Sequence, residues 1–372
     1  MKHIVTSVIT TFLAITSCTA MKIQKNNATK IKEITCIPYA QHAQYLRRDR
    51  IILKSPKGCH IIDPITDKEI IRICDICPAH IAVHPDKTKV ALSRDLTITV
   101  YSYNHDTDKV EKIWSMDQFP LQNSLYSSIF SPFDETIITR HAKNFGFLKH
   151  NYTTNKTMSW NNPTNAVHPP KIAFHPIQPK ICLAHSSGDI SIHEYNELNL
   201  LNAFKIKNYH YFCAYNSNGS IIACGNKTSL YIVYPHIKKR YRIPKQDEKD
   251  WWDCIAFHPN GSVLTTLSSP NSILQHWDIE TRQVIEEISP LDKHPLNNQN
   301  ICFLSDGTEL MITSNKCIIM PISFNVIYPP STQKKLRYLL FFLKNYTPDS
   351  ESALPTDVIT LLILNMLAVF RY

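Results

Sequence analysis

Six short apolar runs, each breaking into a turn, recur along this chain at nearly even spacing, and that periodicity limits its fold more than any other feature. They read Ile81-Ala82-Val83-His84-Pro85-Asp86, Ile129-Phe130-Ser131-Pro132, Ile172-Ala173-Phe174-His175-Pro176, Ala214-Tyr215-Asn216-Ser217-Asn218-Gly219, Ile255-Ala256-Phe257-His258-Pro259-Asn260-Gly261 and Ile301-Cys302-Phe303-Leu304-Ser305-Asp306-Gly307. At positions 85, 132, 176, 217, 259 and 305 the steps are 47, 44, 41, 42 and 46 residues, with a mean of 44.

The residue types account for the pattern. Proline cannot donate to a strand ladder, so His-Pro or Ser-Pro stops a strand, and Asn-Gly or Asp-Gly then supplies the positive φ of a tight hairpin. Within residues 255–288 four strands are legible, at 255–257, 263–267, 273–278 and 283–288. A repeat of about 40–45 residues with four strands is one blade of a β-propeller.

Leu274-Gln275-His276-Trp277-Asp278-Ile279 with Thr281 resembles the third strand and following turn of a WD-repeat blade, and Phe257-His258-Pro259-Asn260-Gly261-Ser262 is similar to that family's first turn. The resemblance spans roughly residues 40–325 and is strongest around Trp277. The family's Gly-His dipeptide is missing, the chain has only 7 glycines, and other blades carry Tyr-Ser-Tyr-Asn or His-Glu-Tyr-Asn in place of Trp-Asp, so the blades are divergent. The resemblance implies an all-β, about seven-bladed β-propeller, with blades near 41–73, 81–114, 128–160, 172–204, 213–243, 255–288 and 301–322. The last holds three strands, and residues 31–37 are expected to supply its outer strand and close the ring without a long free edge.

Flanking segments complete a four-part organisation: a signal peptide at 1–20, a linker and closing strand at 21–40, the propeller at 41–325, and a short C-terminal α-helical hairpin at 331–372. Met1-Lys2-His3 precedes 12 mostly apolar residues, too few to span a bilayer and suited to a secretory core. Ile15-Thr16-Ser17-Cys18 resembles the lipobox of bacterial lipoproteins, which implies lipidation of Cys18 and an exported, envelope-associated protein anchored to a membrane. Cleavage after Ala20 is the rival.

At the other end, Leu336, Leu339, Leu340 and Leu343 mark one face of a helix over 334–346, and 356–370 forms a second, apolar nearly all round. Ala353-Leu354-Pro355-Thr356-Asp357-Val358-Ile359 with Leu364 and Leu367 is similar to the opening of F-box and SOCS-box helices, which implies recruitment of a ubiquitin-ligase adaptor. The alternative is a hairpin that covers part of the propeller, burying Leu361, Leu364 and Leu367.

Composition and motifs point to binding and not to catalysis. There is no Gly-x-Ser-x-Gly elbow, no phosphate-cradling glycine loop and no His-Glu-x-x-His helix, and no cofactor is implied. His84, His175 and His258 share one place in the repeat, which assigns them a structural hydrogen bond at a strand end. The 11 cysteines sit mostly in apolar runs as buried free thiols, and Cys74-Asp75-Ile76-Cys77 lacks the second pair that a metal site needs. The net charge of +9 is spread in short runs, Arg47-Arg48 with Arg50 and Lys238-Lys239-Arg240 with Arg242; these read as solvated edge-strand charges and argue against nucleic acid.

The expected partner is therefore another protein, bound by a monomer. The expected patch is the inter-blade loop at 244–253, where Trp251 and Trp252 stand amid Asp247, Glu248, Asp250 and Asp253. Strand alternation leaves two places open for Trp252, in the patch or between blades. A propeller hydrolase or lyase, or an adaptor mimic built on the tail, are the competing functions, since propellers host many.

Overall fold

The computed structural model describes residues 31–335 apart from 38, 95–96, 117–124, 142–146, 161–170, 207–211, 245–250, 270–271, 289–299 and 314–315. Seven antiparallel sheets of four strands follow one another along the chain, at 42–74, 80–116, 125–160, 171–205, 212–243, 251–288 and 300–321. In the first six the order in space is the order in sequence, as short hairpins require. The seventh blade borrows its outer strand, β1 (Lys32–Ile34), which pairs antiparallel with the strand Cys317–Pro321 through Lys32↔Ile319 and Ile34↔Cys317. The expected closure of the ring is thus made by three residues of the 31–37 segment.

Seven apolar clusters sit at the seven joints between blades. Joint one–two packs Ile52, Cys59 and Ile61 against Ile81, Val90 and Tyr103, and joint five–six packs Ala223, Leu230 and Ile232 against Trp252, Leu264 and Trp277. Each sheet therefore buries both faces, which explains second strands such as Val263–Ser269 that are buried at every position. Outermost strands such as Lys239–Ile243 are largely exposed and charged, which guards their edges.

The repeated histidines fasten the joints. His258 Nδ1 accepts from the Asn260 amide at 3.1 Å, so its Nε2 carries the proton, and it donates to Gly307 O of the next blade at 2.9 Å. Gly307 has φ +72°, and a Cβ there would lie 2.4 Å from that same Nε2, so only glycine fits. His175 Nδ1 accepts from the amides of Ile177 and Gln178 and its ring faces Gly219 in the same way. His84 lies beside Asp86, with Nδ1 2.7 Å from Oδ1.

Several expectations need correction. Arg47 and Arg50 are not edge charges: they belong to the innermost hairpin of the first blade. The Arg50 side chain is 13% exposed and grips Asp108 of the second blade through Nε and Nη2, at 3.0 and 2.7 Å. The sheet region ends at Pro321, and a short helix, α1 (Phe324–Ile327), follows that the residue pattern did not suggest.

Helical backbone resumes at 330–335, earlier than the 334 expected, since Pro330 suits a first helical turn. Val326, Ile327 and Tyr328 fill the joint between blades six and seven, Asn260 Nδ2 donates to Ile327 O at 2.7 Å, and Lys335 pairs with Glu280. Residues 336–372, with the expected leucines and the F-box-like stretch, lie outside the described residues, as do 1–30 with Cys18. No described helix is long and apolar enough to cross a membrane.

Candidate functional site

In every blade the innermost strand begins, and the second strand ends, at the same edge, so these paired positions ring one mouth of the central channel. Turns between second and third strands and the inter-blade connections lie on this face. The opposite face carries the histidine turns. The ring is not uniform. Blades one to four contribute His42 paired with Lys54, then His80, Arg140 and Lys171, whereas blades five and six contribute Phe212 and Trp251.

The aromatic half centres on Trp251, the first residue of the strand Trp251–Phe257. It is therefore a strand residue and not the loop residue expected. Trp251 is 38% exposed as a residue, and Lys227 Nζ of the fifth blade stands 5.4 Å from its ring centroid. Trp252 points the other way, 4% exposed, its ring edge-to-face with Trp277 at 6.2 Å, and its amide donates to Lys227 O at 3.0 Å. Alternation along the strand separates the two indoles, one outward and one between blades.

A bulge between Trp252 and Cys254 then turns Asp253 back to the rim, where it accepts from Ser269 Oγ. Burial raises its pKa, opposed by Ser269, Lys227 and the Trp251 indole. Asp250, with Asp247 and Glu248, lies outside the described residues. Of the expected patch, the structure brings Trp251 and Asp253 together and takes Trp252 into the core.

The cationic half escaped the residue pattern because its members are far apart in sequence. The rings of His42 and His80 meet at a tilt with 5.5 Å between centroids, Lys54 Nζ donates to Ala79 O at 2.8 Å, and Arg140 Nη1 donates to Ser127 Oγ at 3.1 Å. Aligning the repeats on strand starts, instead of on turns, would have placed His42, His80 and Lys171 in register. Burial lowers the pKa of His42 to about 4, and burial with the charge of Arg140 lowers that of Lys171 to about 8.

The opposite face holds a cavity of about 480 Å³ between blades four and five, lined by His175, Lys180, Leu201, Tyr215 and His236. Ile177 and Leu201 on its wall, with Ile237 beyond, are more than half exposed. Among the described residues no three His, Cys, Asp or Glu side chains are placed to hold a metal.

No family model and no curated protein matches the sequence. Solved structures do match: the β-propeller domain of Cps50 (Swd1) from Myceliophteria thermophila aligns with a TM-score of 0.65 at 10% identity, over 78% of this chain and 99% of that one. The chain is a seven-bladed β-propeller. At that identity the likeness shows the fold alone, and with 1819 solved chains matching, the fold does not select a function.

Proposed function

We propose that the chain is a non-enzymatic protein-interaction platform whose docking face is the channel mouth bearing Trp251. The observation that carries this reading is a tryptophan held partly open at the rim, with Lys227 over its ring and Asp253 beside its indole nitrogen. An aromatic anchor fixed by polar neighbours loses little freedom on binding, which makes it a hot spot. The likeness to the Cps50 (Swd1) propeller domain gives the frame that presents this rim and leaves the choice of function to the site. The protein acts as a monomer outside the bacterial cytoplasm, held to a membrane through Cys18; intact mass analysis of the mature N-terminus tests this, and an unmodified start at Met21 removes the anchor.

The docking face is tested by comparing proteins that co-purify with the wild-type chain, with Trp251→Ala and with Ile237→Ala on the opposite face. One and the same partner lost only from Trp251→Ala supports the reading. A partner lost only from Ile237→Ala moves the docking face to the cavity between blades four and five.

A further inference from the structure

We propose that the C-terminal segment of this same chain, residues 347–372, seats over the cavity between blades four and five and covers its apolar wall. The proposal concerns the face opposite Trp251, so it stands or falls apart from the platform reading. The cavity is built into the joint: the rings of His175 and Tyr215 meet at 5.1 Å between centroids, and Asn202 Nδ2 of the fourth blade donates to Pro235 O of the fifth at 3.4 Å. Its lip leaves apolar side chains in water. Ile177 in a fourth-blade turn, Leu201 on that blade's outermost strand and Ile237 in the fifth-blade turn beyond are each more than half exposed. The turns that frame the cavity, at 175–180, 195–199, 216–221 and 235–238, are all described, and none of them fills it.

The occupant follows from where the described chain ends. Lys335 pairs with Glu280 in the outer turn of the sixth blade, on the same face as the cavity. From that turn Arg282 lies over the Tyr241 ring at 4.4 Å, Tyr241 meets Tyr234 edge-to-face at 5.8 Å, and Tyr234 precedes Pro235 and His236 of the cavity wall. One run of side chains therefore leads from the exit to the cavity. Packed sheets stand about 10 Å apart, which puts the joint between blades four and five about 15 Å from the sixth blade. A helix over 336–346 alone covers about 16 Å and delivers the rest of the chain there.

The chemistry of segment and wall matches. Residues 358–370 carry no charged side chain, and so continuous an apolar run needs a cover. Residues 347–357 carry Asp349, Glu351 and Asp357 with no Lys or Arg. The wall offers Ile177 and Leu201 to the apolar run, and it offers Lys180 and His236, with no carboxylate in the lining, to the acidic stretch. The F-box-like stretch is then held against its own propeller and is not offered to an adaptor.

A photo-reactive phenylalanine at position 201 of the purified full chain tests the seat by peptide mass spectrometry, with exposed position 113 on the outermost strand of the second blade as control. Position 201 should join to peptides from 347–372 at the mass of one chain, and position 113 to none of them. Absence of those peptides at 201 overturns the proposal. So does a joined species of twice the chain mass, which makes the occupant a second copy.

Hydrogen exchange gives a second reading. Amides of 358–370 should exchange slowly in wild type and in Ile113→Glu, and about tenfold faster or more when Leu201→Glu is combined with Ile177→Glu, since charge at two exposed positions spoils the seat and spares the core. Fast exchange in wild type, or rates unchanged by the double variant, overturns the proposal. Partner loss in Trp251→Ala bears on the platform reading alone.

Discussion

The joint between blades one and two and the joint between blades five and six do the same job with opposite chemistry. At the first, Arg50 and Arg47 reach across to Asp108, and Tyr103 donates to the same carboxylate. At the second, Trp277 is 2% exposed, its Nε1 donates to Thr266 Oγ1 at 3.1 Å, and its ring meets Trp252. Asp278 serves local ends, accepting from the amides of Glu280 and Thr281 and, through Oδ2, from Ser331 at the start of the C-terminal helical segment. The blade nearest the family pattern is therefore fixed by shape and neutral hydrogen bonds, and a divergent one replaces them with an ion cluster. Closure of a ring demands that every joint hold, but not that every joint hold by the same residues.

The largest effect expected from breaking this contrast is at the apolar joint. Trp277→Ala should cost about 3–5 kcal/mol in chemical denaturation, as a large buried ring is lost with partial collapse around the gap. Arg50→Met should cost less, about 1.5–3 kcal/mol, the worth of hydrogen bonds to a charged partner, because the methionine still covers the neighbouring apolar surface. Equal losses at the two sites would show that the ion cluster is as deeply integrated as the tryptophan.

The first joint and the far face of the sixth blade, turned away from Trp277, should also respond to acid in different ranges. His276, buried against Thr265 in the sixth blade, is held neutral by burial down to a pKa of about 3, against an ordinary 6.5. The unfolded chain takes up that proton first, so stability falls as pH drops from about 6.5 towards 3. Asp108 is held ionised by Arg50 to a pKa of about 2, against an ordinary 3.8, so its contribution is whole above about 3.8 and lost as pH falls towards 2. Melting curves across pH should show the difference between wild type and His276→Gln shrinking below pH 6.5, and that between wild type and Arg50→Met shrinking only below 3.8. A single common range would mean that the sixth blade and the first joint do not unfold on their own terms.

Much of this was legible in the residues. The spacing of the strand-ending turns located six of the seven blades to within a few residues, since proline and positive-φ positions are set locally. Closure by the segment before the first blade followed from counting three strands in the last. What stayed hidden was anything decided between blades. Nothing in Arg47-Arg48-Asp49-Arg50 announces Asp108 some sixty residues on, and the alternation that buries Trp252 was readable only once the strand was known to start at Trp251. The rim cations, one or two per blade, acquire meaning only when the ring closes.

The smallest stability effect belongs to the docking face. Trp251→Ala should change unfolding free energy by no more than about 0.5 kcal/mol, as expected of a surface position. A loss of several times that would make Trp251 part of the core, like its neighbour.

The most direct test of the platform is a photo-reactive residue placed at position 251 or at position 237 and activated in the cells that make the protein. The account predicts one discrete partner adduct from position 251 and none from 237. An adduct from 237 alone, or from neither position, would contradict it.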